Sequence, residues 1–385
     1  MSKIVNAFRN IRWKYYINYI AVGIVAILFA ALSLSDSLPS STIYLLENIT
    51  ISIILTVSLG LVVGFLGELS LGHAGFMCIG AYIGGKLASV VSDAGLGNSI
   101  PTMIIAIVAG ALVAALAGLV VGLPALRLKG DYLAIVTLAF GEIVKTVFEN
   151  SDSASFGGPM GLRTPRFDKQ YLFIIGFVMI LITLAVIQNL IRSKHGRAIT
   201  AIRDNEIAAK ATGISVTKYK LVAFILSAAF AGVAGVVYSY STSTVSAATF
   251  DYNYSIEILV MVVLGGMGNI SGSIISATLV TFINTQLQSV LTGELAVMKD
   301  IIYALILILL IIYNNAPALK KYRERYNIRA LLDKLIKKRP ENKYADDDVV
   351  WGRVPTKINM DEVLSTEIIV KESVQRPDKE ERSDG

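Results

Sequence analysis

Charge is what this sequence lacks most. Only 17% of its 385 residues are Asp, Glu, Lys or Arg, against about 25% in an ordinary soluble domain. The shortfall is uneven: residues 15–315 carry long apolar runs, while the first 14 residues and the last 70 hold much of the charge. That distribution excludes an ordinary water-soluble enzyme and describes a membrane body with wet ends. Cysteine is nearly absent. Cys78 is the one thiol and sits in an apolar run, so no intramolecular disulfide staples the chain. Histidine is scarce too. His73 and His195 are far apart and have no cysteine partners, so neither a structural metal site nor a cofactor is expected. A complete phosphate loop is also missing. Gly80 to Lys86 fits Gly-x4-Gly-Lys, but Leu87 stands where Ser or Thr would hold magnesium, and the segment lies in an apolar run. The chain is therefore not expected to hydrolyse ATP.

What is present is apolar sequence: 54% of residues are hydrophobic and the mean hydropathy is +0.62. The fold class expected is all-α, a polytopic membrane protein with about ten transmembrane helices, some broken or re-entrant. Spans are placed at 15–34, 43–66, 69–90, 101–122, 131–150, 171–191, 218–240, 254–267, 272–290 and 299–315. The third starts weakly, because Glu68, Ser70, Gly72 and His73 crowd its beginning. The eighth and ninth form one apolar stretch split by Gly265, Gly266, Gly268 and Gly272, which fits a hairpin or a broken helix. The stretch at 15–34 is too long for the apolar core of a signal peptide and is read as a retained span.

A net charge of +6 could suggest a nucleic-acid partner. The Lys and Arg instead flank apolar spans, as cytoplasmic charges do, so the expected environment is a lipid bilayer and no nucleic acid. Lys3, Arg9, Arg12 and Lys14 make 1–14 a cytoplasmic N-terminus. Alternation then puts Arg127 and Lys129, the segment 192–220 with Lys218 and Lys220 among its basic residues, and the tail inside. Arg163, Arg166 and Lys169 in the loop 151–170 run against that scheme. Residues 318–339 read as a basic amphipathic juxtamembrane segment, and 340–385 as a disordered cytoplasmic tail.

The connector 192–217 carries the most chemistry. Ala198, Ile199, Ile202, Ile207, Ala208, Ala211 and Ile214 fall near helical spacing, giving a short amphipathic helix or helix pair that ends at Gly213. Such a helix lies on the lipid, packs on its own protein or docks a partner. In the membrane body, Gly67, Gly72 and Gly75 loosen a span. A break there would aim backbone N–H groups at a carboxylate, with Ser70 as a further donor; close helix packing by small residues is the alternative. Glu142 and Lys145 are spaced to pair on one helix, Glu257 is read as solvated, and His73 as a packing histidine or a protonation switch.

Several blocks resemble one family. Arg203-Asp204-Asn205-Glu206-Ile207-Ala208-Ala209 with Gly213 is similar to the coupling loop of ABC-transporter permeases, with Ile207 inserted after the glutamate of the usual Glu-Ala-Ala pattern. That form, with Ser70-Leu71-Gly72-His73-Ala74, the block from Leu126 to Glu142, Gly157 to Leu162 and Val263 to Gly272, resembles the branched-chain amino acid permeases, most closely the M-type subunit. The resemblance covers about residues 45–315 and omits the tail. It implies a pseudo-symmetric pair with an H-type permease, separate ABC ATPase subunits, an extracytoplasmic substrate-binding protein, and a bacterial or archaeal plasma membrane with both termini cytoplasmic. It implies coupling to the ATPase through Arg203, Asp204, Glu206, Ala208, Ala209 and Gly213. Candidate translocation-path residues are Gly67, Ser70, Gly72, His73, Thr137, Glu142, Gly266 and Ser271. A permease for another small solute, such as urea or a short amide, and an ion-coupled secondary transporter are the competing readings.

Overall fold

The computed structural model describes residues 17–34, 39–92, 99–128, 130–165, 167, 169–290 and 299–315. The expectations for 1–14, 318–339 and 340–385 lie outside the described residues. All elements below belong to the compact unit Met1–Ala316.

The helices, in chain order, are α1 (Ile17–Leu34), α2 (Ser40–Gly60, continued by a π-helical turn Leu61–Leu66), α3 (His73–Val91), α4 (Ile100–Ala125), α5 (Asp131–Glu149) and the short α6 (Ser153–Phe156). After these come α7 (Lys169–Arg192), α8 (Lys194–Asp204), α9 (Glu206–Ala211), α10 (Val216–Ser241), α11 (Tyr252–Gly265), α12 (Ile270–Val290) and α13 (Lys299–Asn315). A two-residue antiparallel pair, Leu162↔Val245 and Arg163↔Thr244, is a small departure from an all-α chain. Among the described residues six helical stretches are long and apolar enough to cross a membrane: 40–66, 73–91, 100–125, 171–192, 216–241 and 270–290. Shorter apolar helices cover 18–33 and 252–265.

The centre is α2, whose residues from Ile49 to Leu61 are buried without interruption. Helices α7, α10 and α12 pack on it, and α3, α4 and α10 approach one another through glycine. A Cβ on Gly64 would lie 2.5 Å from the backbone N of Gly268, and one on Gly118 would lie 2.7 Å from the Ala228 methyl. Gly80 meets the backbone of Gly232, and Gly272 that of Gly265. Close backbone approach of this kind holds helices together where lipid removes the hydrophobic drive between them. The outward face of α4 shows the complement: Ile105, Leu112, Leu116 and Val120 are 54–69% exposed, an apolar stripe suited to lipid or to another membrane chain.

Most span boundaries shift from the sequence reading by one to four residues, and two of the shifts bear on the site. The third span starts at His73, not 69, because Gly67–Gly72 is non-helical. The eighth runs Tyr252–Gly265, and a tight turn through Gly266 and Gly268 joins it to α12 as a hairpin.

Candidate functional site

The break between α2 and α3 is the first component. Gly67 ends the π-turn at φ +80°, a left-handed conformation that a side chain disfavours. The chain then re-enters the bundle, and α3 begins deep inside. His73 is buried and its Nε2 lies 2.8 Å from Ser58 Oγ on α2. Ser58 is roughly 12 Å along the helix from the end of the π-turn at Leu66. Several backbone donors around the break have partners within the protein. Leu71 N–H donates to Thr137 Oγ1 at 3.0 Å and Ala74 N–H to Ser255 Oγ at 3.1 Å. Gly75 and Phe76 N–H donate to Gly72 O. A Cβ on Gly72 would lie 2.5 Å from Thr137 O, so α3 and α5 touch there backbone to backbone.

Ser70, Gly72, His73 and Thr137 thus come together, all within the core. Ser58 and Ser255 complete the cluster; their spacing from it in sequence gives no sign of this. Glu142 stands further along α5, paired with Lys145 at 3.6 Å and accepting from Tyr252 N–H at 2.9 Å. Gly266 and Ser271 belong elsewhere, in the α11–α12 turn, where Ser271 Oγ donates to Asn18 Oδ1 at 2.8 Å. Glu257 corrects the solvated reading: Asn284 Nδ2 and Tyr303 OH donate to its Oε1 at 3.0 and 2.8 Å.

The connector is the second component, and it is a helix pair. Ser193 Oγ accepts from the N–H groups of His195 and Gly196 and starts α8. Ile199 and Ile202 bury its apolar face. Asn205 breaks the helix and caps α9, its side chain accepting from Ala208 N–H at 3.0 Å. Gly213 takes φ +84°, and Ile214 N–H returns to Ala209 O, a left-handed helix stop. Within α9 the faces divide sharply. Ala209 is 4% exposed and packs on its own chain, whereas Ile207 is 79% exposed and Ala208 and Ala211 are also exposed. The sequence reading names Ala209 among the coupling residues; within this chain its side chain is buried and Ile207 faces outward.

Charged groups join the two components. Lys220, at the start of α10, is 3% exposed at its side chain. Its Nζ donates to Glu68 Oε1 in the break and, at 3.0 Å, to Glu206 Oε2 on α9. Arg203 Nη1 donates to Gly64 O at 3.2 Å. A Cβ on Gly67 would fall 2.6 Å from Arg203 Cγ. Arg203 also pairs with Asp204 at 2.9 Å. Arg203 and Glu206, which the resemblance assigns to coupling, therefore already hold bonds within the chain. These bonds tie α8–α9 to the break that precedes α3.

A glycine-packed bundle of apolar helices with an internal break, tied to an outward-facing helix pair, defines the membrane-embedded part of a polytopic transport protein. The chain belongs to the family described as "Branched-chain amino acid transport system / permease component", which matches residues 41–311. It is 36% identical over 290 residues to the high-affinity branched-chain amino acid transport system permease protein LivM of Escherichia coli strain K12, a match covering 66% of each chain. The chain thus spans a little under two thirds of that relative's length. It is 30% identical over 166 residues to the probable branched-chain amino acid transport permease protein LivH of Methanocaldococcus jannaschii, covering 43% of this chain and 49% of that one. It is 29% identical over 192 residues to the ribose import permease protein RbsC of Escherichia coli K12, covering 47% and 56%. No solved structure matches.

Proposed function

We propose that this chain is one permease subunit of an ATP-driven importer of branched-chain amino acids in a bacterial or archaeal plasma membrane. It forms half of the translocation pathway beside an H-type permease, receives Leu, Ile or Val from an extracytoplasmic binding protein, and is driven by separate ABC ATPase subunits. Ten helices, α1–α5, α7 and α10–α13, lie in the membrane, with both termini cytoplasmic. The ATPase grips the α8–α9 pair by inserting the exposed Ile207 side into a groove. Ser70, His73 and Thr137 border the path, and Gly72 lets α5 pack against the break.

One observation carries the mechanism: Lys220 binds Glu206 of the outward helix pair and Glu68 of the break at once. A secondary transporter has no use for a docking pair wired to a helix break. Similarity to a ribose import permease favours keeping a second reading, in which the same machine carries another small solute. Uptake of radiolabelled leucine by cells lacking and expressing the chain, with isoleucine, valine, ribose and urea as competitors, decides between them. Competition by isoleucine and valine supports the proposal. Uptake insensitive to both and blocked by another solute replaces its substrate, and no chain-dependent uptake at all removes it.

A further inference from the structure

At the end of the bundle that carries α8 and α9, a cavity of about 200 Å³ opens between the start of α1, the end of α7 and the α11–α12 turn. Asn18, Gln188, Arg192, Asn269 and Ser271 supply its polar lining, and Phe65 part of the apolar wall. Gln188 is 2% exposed. Arg192 Nη2 donates to its Oε1 at 2.9 Å. A guanidinium can only donate, so this bond fixes which way the amide points and leaves Nε2 as a donor. That Nε2 is buried and has no hydrogen-bond partner among the described residues. Buried donors are normally met by an acceptor, and each exception calls for one.

The same polarity repeats around the cavity. Ser271 Oγ donates to Asn18 Oδ1 at 2.8 Å, and Asn269 Oδ1 accepts from Gly272 N–H at 3.3 Å. The oxygens of all three amides are thus committed to protein donors, and what the side chains offer a guest is N–H. Helix α12, of 21 residues, begins at this turn, adding the partial positive charge of its N-terminus. Among the described residues no carboxylate lines the cavity. A pocket rich in donors and flanked by a guanidinium suits an oxyanion.

We infer that this cavity binds an oxyanion, the phosphate of an anionic lipid headgroup or a small free anion, with Gln188 Nε2 and the Arg192 guanidinium as its principal donors. The inference does not depend on the solute transported. The test uses the full chain in phosphatidylcholine nanodiscs. One arm adds inorganic phosphate against chloride at matched ionic strength; the other replaces part of the lipid with phosphatidylglycerol. Thermal unfolding is read throughout for wild type, Gln188→Glu and Gln188→Met. Gln188→Glu keeps the shape and the bond from Arg192 but sets a negative charge where the donor was. A midpoint raised by phosphatidylglycerol alone identifies the lipid as source, and one raised by phosphate identifies a free anion. Either way, Gln188→Glu weakens the apparent affinity by roughly tenfold or more, because two anions then face each other, and Gln188→Met weakens it less. Should Gln188→Glu fail to accumulate, Gln188→Met carries the comparison. No anion-specific shift in wild type means that the cavity holds water only and overturns the inference, as does a shift that both variants retain in full.

Discussion

Lys220→Met removes the cation shared by Glu68 and Glu206, and the structure sets the size of the effect. The side chains of Lys220, Glu68 and Glu206 are 3%, 13% and 37% exposed. Glu68 loses its partner while largely shielded from water, and breaking a buried pair from one side costs about 3 kcal/mol. Glu206 is more than a third exposed, and water screens it, so its share is about 0.5 kcal/mol. The more demanding expectation concerns the double variant. Glu68→Met alone leaves Lys220 paired with Glu206 and costs about 1 kcal/mol. Lys220→Met with Glu68→Met leaves no shielded charge unpaired, so it is more stable than Lys220→Met alone. The cycle should depart from additivity by about 2 kcal/mol. Loss of helical circular dichroism from the purified chain, titrated with denaturing detergent, gives the four stabilities. Additivity to within about 0.5 kcal/mol would mean that Lys220 and Glu68 are neighbours without a working bond, and the link from α9 to the break would be lost.

Two further expectations follow from separate parts of the molecule. Gly72→Val places a side chain against Thr137 O, where a Cβ would already be 2.5 Å away; membrane abundance and uptake should fall together, whereas normal abundance with lost uptake would give Gly72 a role in the path itself. The isolated chain should release no phosphate from ATP, because Leu87 replaces the magnesium-binding hydroxyl of a phosphate loop; sustained turnover without added subunits would contradict that.

What could be read from the sequence was what local pattern controls. Gly67 and Gly72 marked the break, Gly213 the end of α9, and the Gly265–Gly272 cluster the α11–α12 turn. Each is a case in which one residue type meets one backbone requirement. Pairing across the fold was not legible. Lys220 counted only as one more basic residue in a cytoplasmic segment, yet its partners are 152 and 14 residues away. Glu257 looked solvated because the donors that reach it come from α12 and α13. The covered face of α9 was not legible for a similar reason. A helix of 6 residues has too little periodicity to show which alanine is covered, and the buried side is set by what α9 rests on. Ser58 and Ser255 escaped notice because a serine in an apolar span usually bonds its own helix; Ser58 does so through Leu55 O but also meets His73 Nε2, and Ser255 accepts from Ala74 N–H.

The central claim is that the α8–α9 pair, through its outward Ile207 face, receives the work of a separate ATPase. Ile207 is 79% exposed and contributes little to the chain's own packing, so Ile207→Asp should leave insertion and folding unchanged. The decisive measurement is ATP-driven leucine uptake into proteoliposomes holding this chain, its permease partner, the ATPase subunits and the binding protein, with retained ATPase quantified in the same vesicles. The account expects wild type to retain the ATPase and take up leucine, and Ile207→Asp to lose both at equal abundance in the membrane. Full ATPase retention and normal uptake in Ile207→Asp would contradict it and leave α8–α9 as a helix pair that merely rests on its own protein.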